Sequence, residues 1–432
     1  MEDALDDLCQ NLSAAFQTTI DRIKRLRSRR QMELAMNALM WVCHSKRPLT
    51  VDELSEALSV RQDDNTPRPN YRPTEKAIVE NCFGLIQVAK DSGSSTVQPA
   101  HASIRQFLLE HRKTLFPEGM QTVARICLSF LLFDKPRWNL LQSEQEITNR
   151  LDQHPFLAYA SFFWGHHADD ASNDEPTRAM AWELLNSKQV GPVIVQTRHC
   201  ASGLRDIYWS VEECSSRSPL HVAARAGFLE GLRRLLDEGR YDINARSSIG
   251  TTPLLNAVDQ RIAKVLLDYG ADPTISNWYG DALQCAAEEN QVEIVEILIR
   301  EKHMDPNMYP SRPPLHCTLD CDSVESFEKL LDLGATIPQL RDDSIDDEDG
   351  FNGAAQQFFL EALFLRCSRV IEAMVQRGLV DPHERNGRGR TVLHYAAGSQ
   401  NLAAIRSLMS IGADASAADK QGLIPREMAR FL

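Results

Sequence analysis

The chain has 432 residues, of which 43% are hydrophobic and 25% are charged, and its formal net charge is −13. A chain of this length normally forms more than one domain, and its composition is that of folded rather than disordered protein. The negative charge argues against a protein that coats nucleic acid or anionic lipid, and the longest apolar stretch, 126–133, is far shorter than the ~20 residues of a membrane-spanning helix.

The cysteines and the N-terminus indicate the compartment. Ten cysteines in this length show no paired framework, and the start, MEDALDDLCQ, lacks the basic and apolar regions of a signal peptide. The sequence therefore predicts a cytoplasmic protein, with the nucleus as the alternative. His316, Cys317 and Cys321 have the residue types of metal ligands, but no second ligand cluster would close a tetrahedral site, so we expect neither metal nor cofactor.

The first half of the chain predicts helices followed by a hairpin. Arg29–His44 has the apolar spacing of an amphipathic helix, and Thr50 with Glu53 forms a capping box that opens a second helix. The elements predicted next are a helix over 74–83, strands over 85–89 and 95–99, and a helix that begins near His101. This order is typical of a winged-helix domain.

From about Ser218 the chain resembles itself at a spacing near the ~33 residues of ankyrin repeats. The clearest copy reads SPLHVAARAGFLEGLRRLLDEGRYDINA. Its Ser218 can cap the inner helix, Pro219 suits the first turn, and Gly239 allows the left-handed turn that ends the outer helix. The histidines at one shared repeat position, which we interpret as structural, are His221, His316 and His394.

About six and a half copies fit the second half of the chain. The fifth is degenerate, with its recognisable part over 361–382, and it follows an acidic insertion at 341–350 that lacks the ligand spacing of an EF-hand loop. The last half-copy, DKQGLIPREMARFL, has a polar start typical of a cap. The predicted fold is mainly α, with an N-terminal segment (1–18), a winged-helix domain (19–117), a helical region (118–190), a linker (191–216) and a C-terminal ankyrin-repeat solenoid (217–432).

Four segments carry a more specific resemblance: KRPLTVDELSEAL, CFGLIQV, HASIRQFLLEH and PFLAYASFFWGHHA. They are similar to the winged-helix and adjoining helical parts of fungal NACHT–ankyrin receptors of the STAND (NOD-like receptor) class. The resemblance implies nucleotide sensing by a winged-helix histidine, here His101, whereas a helix-entry role is the alternative reading. Because no G-x-x-x-x-G-K-[ST] motif occurs, we expect the regulatory and sensor half of such a receptor without its NACHT nucleotide-binding domain.

The turn tips and inner helices of an ankyrin array form an extended binding surface. Trp278 and Tyr279 fall at the tip before the third repeat, where an exposed aromatic pair is typical of an interface hot spot. The alternative is that Trp278 folds back on the neighbouring tip. A second candidate tip is basic and suits an acidic ligand; its residues are Arg385, Arg388 and Arg390.

The motifs of hydrolases, zinc proteases and dinucleotide enzymes are absent from the sequence. We therefore predict a non-enzymatic scaffold that binds an unidentified protein partner through its ankyrin repeats. The alternative function is a DNA-linked regulator that uses the winged helix and the basic helix expected over Arg22–Arg30. Against it, the predicted third helix offers Lys76 as its one basic residue, which is poor for phosphate contacts.

Overall fold

The structure is a computed structural model and describes residues 2–60, 71–91, 94–133, 138–201, 210–309, 311–338 and 350–428. The chain divides into two compact units, Met1–Ile249 and Gly250–Leu432. The predicted acidic insertion lies outside the described residues except for Gly350, and so does the centre of the predicted hairpin turn, 92–93. In the described part of the chain, no helix is both long and apolar enough to cross a membrane.

The first unit contains the helices α1 (Glu2–Lys24), α2 (Arg29–His44), α3 (Val51–Ala57), α4 (Glu75–Asn81), α5 (Ala102–Glu110), α6 (Arg112–Leu115), α7 (Gly119–Phe133), α8 (Glu144–Gln153), α9 (Phe156–Asp170), α10 (Glu175–Leu185), α11 (Val190–Ala201), α12 (Val211–Ser216), α13 (Pro219–Ala226) and α14 (Leu229–Glu238), and the strands β1 (Ile86–Asp91) and β2 (Ser94–Pro99). The second contains a 3₁₀ helix (Leu254–Asn256), α15 (Gln260–Asp268), α16 (Ala282–Glu288), α17 (Val292–Arg300), α18 (Pro314–Cys317), α19 (Val324–Asp332), α20 (Ala354–Phe364), α21 (Ser368–Gln376), α22 (Val392–Gly398), α23 (Leu402–Ser410) and α24 (Pro425–Met428).

The winged-helix prediction is confirmed. Helices α2 to α4 precede the antiparallel pair β1–β2, and α5 follows it. The Thr50 amide donates to Glu53 Oε2 (2.8 Å) and the Glu53 amide donates to Thr50 Oγ1 (3.2 Å), which completes the predicted capping box of α3. The amide of Val97 also donates to the Leu49 carbonyl (2.9 Å), so the residues before α3 pair with β2.

The basic run Arg22–Arg30 does not form the single helix that we expected. Helix α1 ends at Lys24, and α2 begins at Arg29 because the Ser28 hydroxyl caps it. The run therefore spans a turn between two helices. Within it Ile23 is buried, and the Arg22 guanidinium lies 4.2 Å from the centroid of the Phe83 ring, so part of the run serves packing.

The segment predicted as a linker, 191–216, carries helix α11 and helix α12 instead. Val193, Ile194 and Val195 of α11 are buried, and a continuous apolar run of this kind is costly to leave in a solvated linker. The buried Gln196 side chain accepts from the Leu141 amide (3.1 Å) and donates to the Leu141 carbonyl (2.8 Å). Packing and hydrogen bonding therefore make this segment part of the first unit.

The first repeat, α13 with α14, belongs to the same unit and packs on α9. The Asp169 carboxylate accepts from the amides of Leu229 (2.9 Å) and Glu230 (3.1 Å), which satisfies the free N–H groups at the start of α14. Gly165 lies so close to the first repeat that an added Cβ would stand 2.4 Å from the carbonyl oxygen of Ala226. The α9 sequence thus positions the start of the ankyrin array.

The second unit stacks inner and outer helices in pairs, α16–α17, α18–α19, α20–α21 and α22–α23, with α24 packed against α22. The apolar side chains between the repeats are fully buried, among them Leu298, Phe327, Phe358 and Leu408. In the fifth repeat the inner helix begins at Ala354, ahead of the start that the degenerate sequence indicates.

The shared histidines have structural contacts, as we expected. His221 Nδ1 accepts from the Ser218 amide (3.1 Å), and His394 Nδ1 accepts from the Thr391 amide (3.0 Å). Pro313 stands at this position in the fourth repeat and has no N–H to donate. His316 turns its other ring nitrogen, Nε2, to Glu361 Oε1 at 2.7 Å.

Candidate protein-interaction surface

The aromatic tip is held by a tight turn around Asn277. The Asn277 amide donates to the Gly280 carbonyl (3.0 Å), and Asn277 Oδ1 accepts from the amides of Tyr279 (2.8 Å) and Gly280 (3.1 Å). Gly280 has a φ of +140°, a conformation that side-chain-bearing residues rarely adopt. The turn therefore fixes the backbone on which Trp278 stands.

Trp278 keeps 70% of its surface exposed, whereas Tyr279 is half-buried. The Tyr279 carbonyl accepts a hydrogen bond from the Arg312 guanidinium, which ties this tip to the start of the next repeat. A large aromatic side chain on a rigid turn loses little conformational entropy when a partner covers it. Of the two aromatic residues, Trp278 has the geometry of an anchor and Tyr279 supports the tip.

The basic tip is built by the same kind of turn but uses its arginines differently. Arg385 donates to the carbonyls of Gly389 (2.9 Å) and Ala418 (2.7 Å). Arg390 Nε lies 3.0 Å from Asp419 Oδ2, and the two side chains are only 14% and 1% exposed. These two arginines therefore hold the following half-repeat in place.

Arg388 contributes to the same junction through its backbone. Its carbonyl accepts from the Lys420 amide (2.9 Å) and its amide donates to Asn386 Oδ1 (3.1 Å). Changing the Arg388 side chain leaves these backbone bonds in place. Partner contact at the basic tip is therefore tested through Arg388, because its backbone bonds to Lys420 and Asn386 do not involve its side chain.

Sequence reasoning missed an apolar pair on an inner helix. Phe364, the last residue of α20, is 86% exposed, and Leu365 beside it is 42% exposed. Arg366, two positions after Phe364, has a left-handed φ (+62°) close to that of Asn290 (+58°), which follows α16. An alignment of the fifth repeat with the third that matches Arg366 to Asn290 would have placed Phe364 on the binding face. The apolar pattern from Glu361 onward does not give this register.

His101 stands at the start of α5, the helix-entry position that the sequence indicates. Its Nδ1 accepts from the Ser103 amide (3.2 Å) and lies 2.8 Å from the Ser103 hydroxyl. The residue lines a cleft of about 310 Å³ that also contains Lys46 and Arg47. Lys46 pairs with Asp170 (2.7 Å) and Arg47 with Glu53 (2.6 Å), so acidic side chains already compensate both of these cations.

Metal binding, thiol chemistry and DNA binding have little support among the residues that the structure describes. Those residues contain no group of three or more His, Cys, Asp or Glu side chains that could hold a metal ion. Burial raises the pKa of the Cys317 thiol to about 12, which makes it a poor nucleophile. On α4, the helix that a DNA-binding winged helix would use, Lys76 lies 3.9 Å from Glu80, and this pairing weakens the case for phosphate contacts.

Comparisons with known proteins agree with this architecture. The winged helix domain family of GPI inositol-deacylase matches residues 19–132. The family of ankyrin repeats in three copies matches residues 198–277, and the single ankyrin repeat family matches residues 388–420. A putative ankyrin repeat protein of Rickettsia bellii is 30% identical over 24% of this chain and 79% of its own length. The chain belongs to the ankyrin-repeat proteins.

Other relatives of this ankyrin-repeat protein have diverse names. The human mitochondrial disaggregase is 28% identical over 46% of this chain, which spans 28% of that relative's length. Azaphilone pigments biosynthesis cluster protein L of Monascus ruber is 24% identical over 63% of this chain and 62% of its own. The solved ankyrin repeat domain of Bcl-3 is 23% identical with a TM-score of 0.38, over 50% of this chain and 94% of that structure.

Proposed function

We propose that this chain is a non-enzymatic interaction protein whose ankyrin repeats bind a protein partner in the cytoplasm, with the nucleus as the alternative compartment. The winged helix and the helical region act as the regulatory part, in the manner of the sensor half of a STAND receptor of the fungal NACHT–ankyrin type. Repeat arrays bind partners over extended surfaces, and members of this fold are typically interaction modules.

The observation that carries this proposal is the 70% exposure of Trp278 on a hydrogen-bonded turn. An indole that is largely exposed on a hydrogen-bonded turn gains free energy when a partner pocket covers it. Truncation to alanine should therefore weaken partner binding by about thirtyfold, or ~2 kcal/mol. Arg388→Glu should instead slow association with an acidic partner and reduce its salt dependence, as rim charges do.

A pull-down from lysate of the source organism, with the full chain immobilised, tests the proposal. Wild type, Trp278→Ala and Arg388→Glu are compared, with Leu402→Ala as a control because Leu402 is 65% exposed on the outer helix α23. We expect Trp278→Ala to lose proteins that wild type and the control retain. The same recovered set from all four proteins would overturn the tip as the binding site.

The resemblance to nucleotide-switched receptors suggests one further test, on His101. Since its Nδ1 is engaged in capping α5 and no P-loop motif occurs in the sequence, we expect calorimetry to detect no ATP or ADP binding to the purified chain. Binding that disappears in His101→Ala would contradict this expectation and support the nucleotide-sensing role. His111→Ala, which alters a half-buried histidine directly after the end of the same helix, is the matched control.

A further inference from the structure

A second surface of the array combines exposed apolar side chains with carboxylates. Three residues, Phe364, Glu288 and Asp320, each lie two positions before a residue with a left-handed backbone that follows an inner helix. They therefore occupy the same position in three successive repeats. Leu365 adjoins Phe364, and Glu289 adjoins Glu288. We call these five residues the acidic–apolar face.

Two carboxylates of this face, Glu288 and Asp320, share one cation. Arg312 Nη2 lies 2.6 Å from Asp320 Oδ2 and 3.4 Å from Glu288 Oε2, so one guanidinium serves two acids. Burial, and then the neighbouring Asp320 charge, raise the pKa of Glu288. The exposed Glu289 adds a further negative charge. At Glu288 and Asp320 the face therefore holds two carboxylates against one guanidinium, a charge that a cationic partner would balance.

Phe364 adds an anchor point to this charge. Its ring is 86% exposed at the end of α20, the largest value among the exposed large hydrophobic residues of the described chain. Glu361 lies three positions earlier on the same helix and hence on the same face. If an apolar side chain of a partner covers Phe364, the residues that flank this side chain in the partner will lie next to carboxylates.

We propose that the acidic–apolar face binds a basic protein segment that carries an aromatic or aliphatic anchor. A second copy of this chain is disfavoured because its own face is acidic and would repel, and the insertion at 341–349 has the same negative sign. The inference rests on the proposed function, since it assigns a second contact to the same array. It differs from the Trp278 tip in both residues and ligand chemistry.

Selection from a randomised peptide library displayed on phage, with the purified full chain as bait, tests the ligand chemistry. We expect the enriched peptides to combine Lys or Arg with Phe, Leu or Trp. Failure to enrich any peptide, or enrichment of acidic ones, would overturn the proposal. The most enriched peptide is then labelled with fluorescein for anisotropy titrations.

The titrations use two matched pairs of variants. Phe364→Ser should weaken binding of the labelled peptide by about thirtyfold, whereas Leu402→Ser, on the outer helix α23, should not change it. Glu289→Lys should weaken binding and reduce its salt dependence, whereas Glu372→Lys, on the outer helix α21, should not. Unchanged affinity in Phe364→Ser would overturn the proposal.

Cys321 reports the position of the bound peptide without any substitution. It follows Asp320 directly and is exposed, whereas Cys43 of the first unit is half-buried and distant in sequence. Peptide binding should protect Cys321 from iodoacetamide, as read by mass spectrometry, and should leave the labelling of Cys43 unchanged. Equal labelling of Cys321 with and without peptide would contradict the assigned location.

Two outcomes separate this inference from the proposed function. Trp278→Ala should bind the labelled peptide as wild type does, even though it loses proteins in the pull-down. If the pull-down is insensitive to Trp278 but Phe364→Ser abolishes peptide binding, the tip is refuted and the acidic–apolar face stands. Concentration-dependent dimerisation that Phe364→Ser abolishes would show that a second copy is the occupant and would refute the basic ligand.

Discussion

Replacing Glu56 by alanine should destabilise the first unit more than any exposed acidic substitution. Its side chain is 1% exposed in α3, and its Oε2 accepts from the amide of Phe156 (2.9 Å) at the start of α9. The Glu56 carboxylate also contacts the Arg72 guanidinium, and its Oε1 lies 3.2 Å from His154 Nδ1. One buried carboxylate thus joins the winged helix to the helical region.

The size of the effect follows from these contacts. Removing one partner of a buried ion pair costs about 3–5 kcal/mol, and the lower value applies here because the Arg72 and His154 side chains are 32% and 30% exposed. For a unit of this size, Met1–Ile249, 1 kcal/mol shifts the melting temperature by roughly 2–4 °C. Glu56→Ala should therefore lower the melting temperature of the first unit by about 6–12 °C.

Circular dichroism melts of the full chain, with Trp fluorescence as a second probe, measure this shift. Glu56→Gln keeps an acceptor for the Phe156 amide but loses the charge, so it should lie between wild type and Glu56→Ala. Glu80→Ala removes a 65% exposed carboxylate and should change the melting temperature little. If Glu56→Ala and Glu80→Ala melt together, the buried carboxylate does not join the two parts.

Three further results are expected. The Arg125 guanidinium, with Thr177, lowers the pKa of Asp174 to about 2. Arg125→Gln should therefore destabilise the chain at pH 7. The difference in melting temperature between this variant and wild type should shrink as the pH falls through about 4 towards 2. Deleting the chain from Asp419 onward removes the cover of the last full repeat and should lower the solubility and the melting temperature, measured by light scattering during heating. Gly165→Leu should separate α9 from the first repeat and increase hydrogen exchange in α13, whereas Gly350→Leu, where an added Cβ meets nothing within 4 Å and the φ is not left-handed, should leave α13 unchanged.

Sequence reasoning succeeded where a pattern recurs and failed where one repeat departs from it. The capping box at Thr50 and the left-handed turn at Gly239 follow from local chemistry and are present in the structure. The inner helix of the fifth repeat begins after Gly353, which has no side chain to cap it, so its register could not be read, and Phe364 was overlooked. The apolar run of α11 was missed because its short length between polar segments resembles a linker.

The roles of the tip residues depend on contacts between repeats, which no single-repeat pattern specifies. Arg385 and Arg390 form part of a basic cluster in the sequence, yet in the structure they bind a neighbouring carbonyl and the Asp419 carboxylate. Trp278 occupies a turn outside the recurring helical pattern, and its exposure depends on what the surrounding tips leave uncovered. Such contacts are set by the stacking of repeats and could not be predicted from composition.

Site-specific photo-crosslinking tests the central claim, partner binding at the aromatic tip, most directly. Benzoylphenylalanine is introduced at position 278, where the native residue is 70% exposed, and at position 402, where it is 65% exposed, as a control. Irradiation in lysate followed by mass spectrometry should give crosslinked protein adducts from position 278 that position 402 does not give. The same adducts from both positions, or none from position 278, would contradict the account.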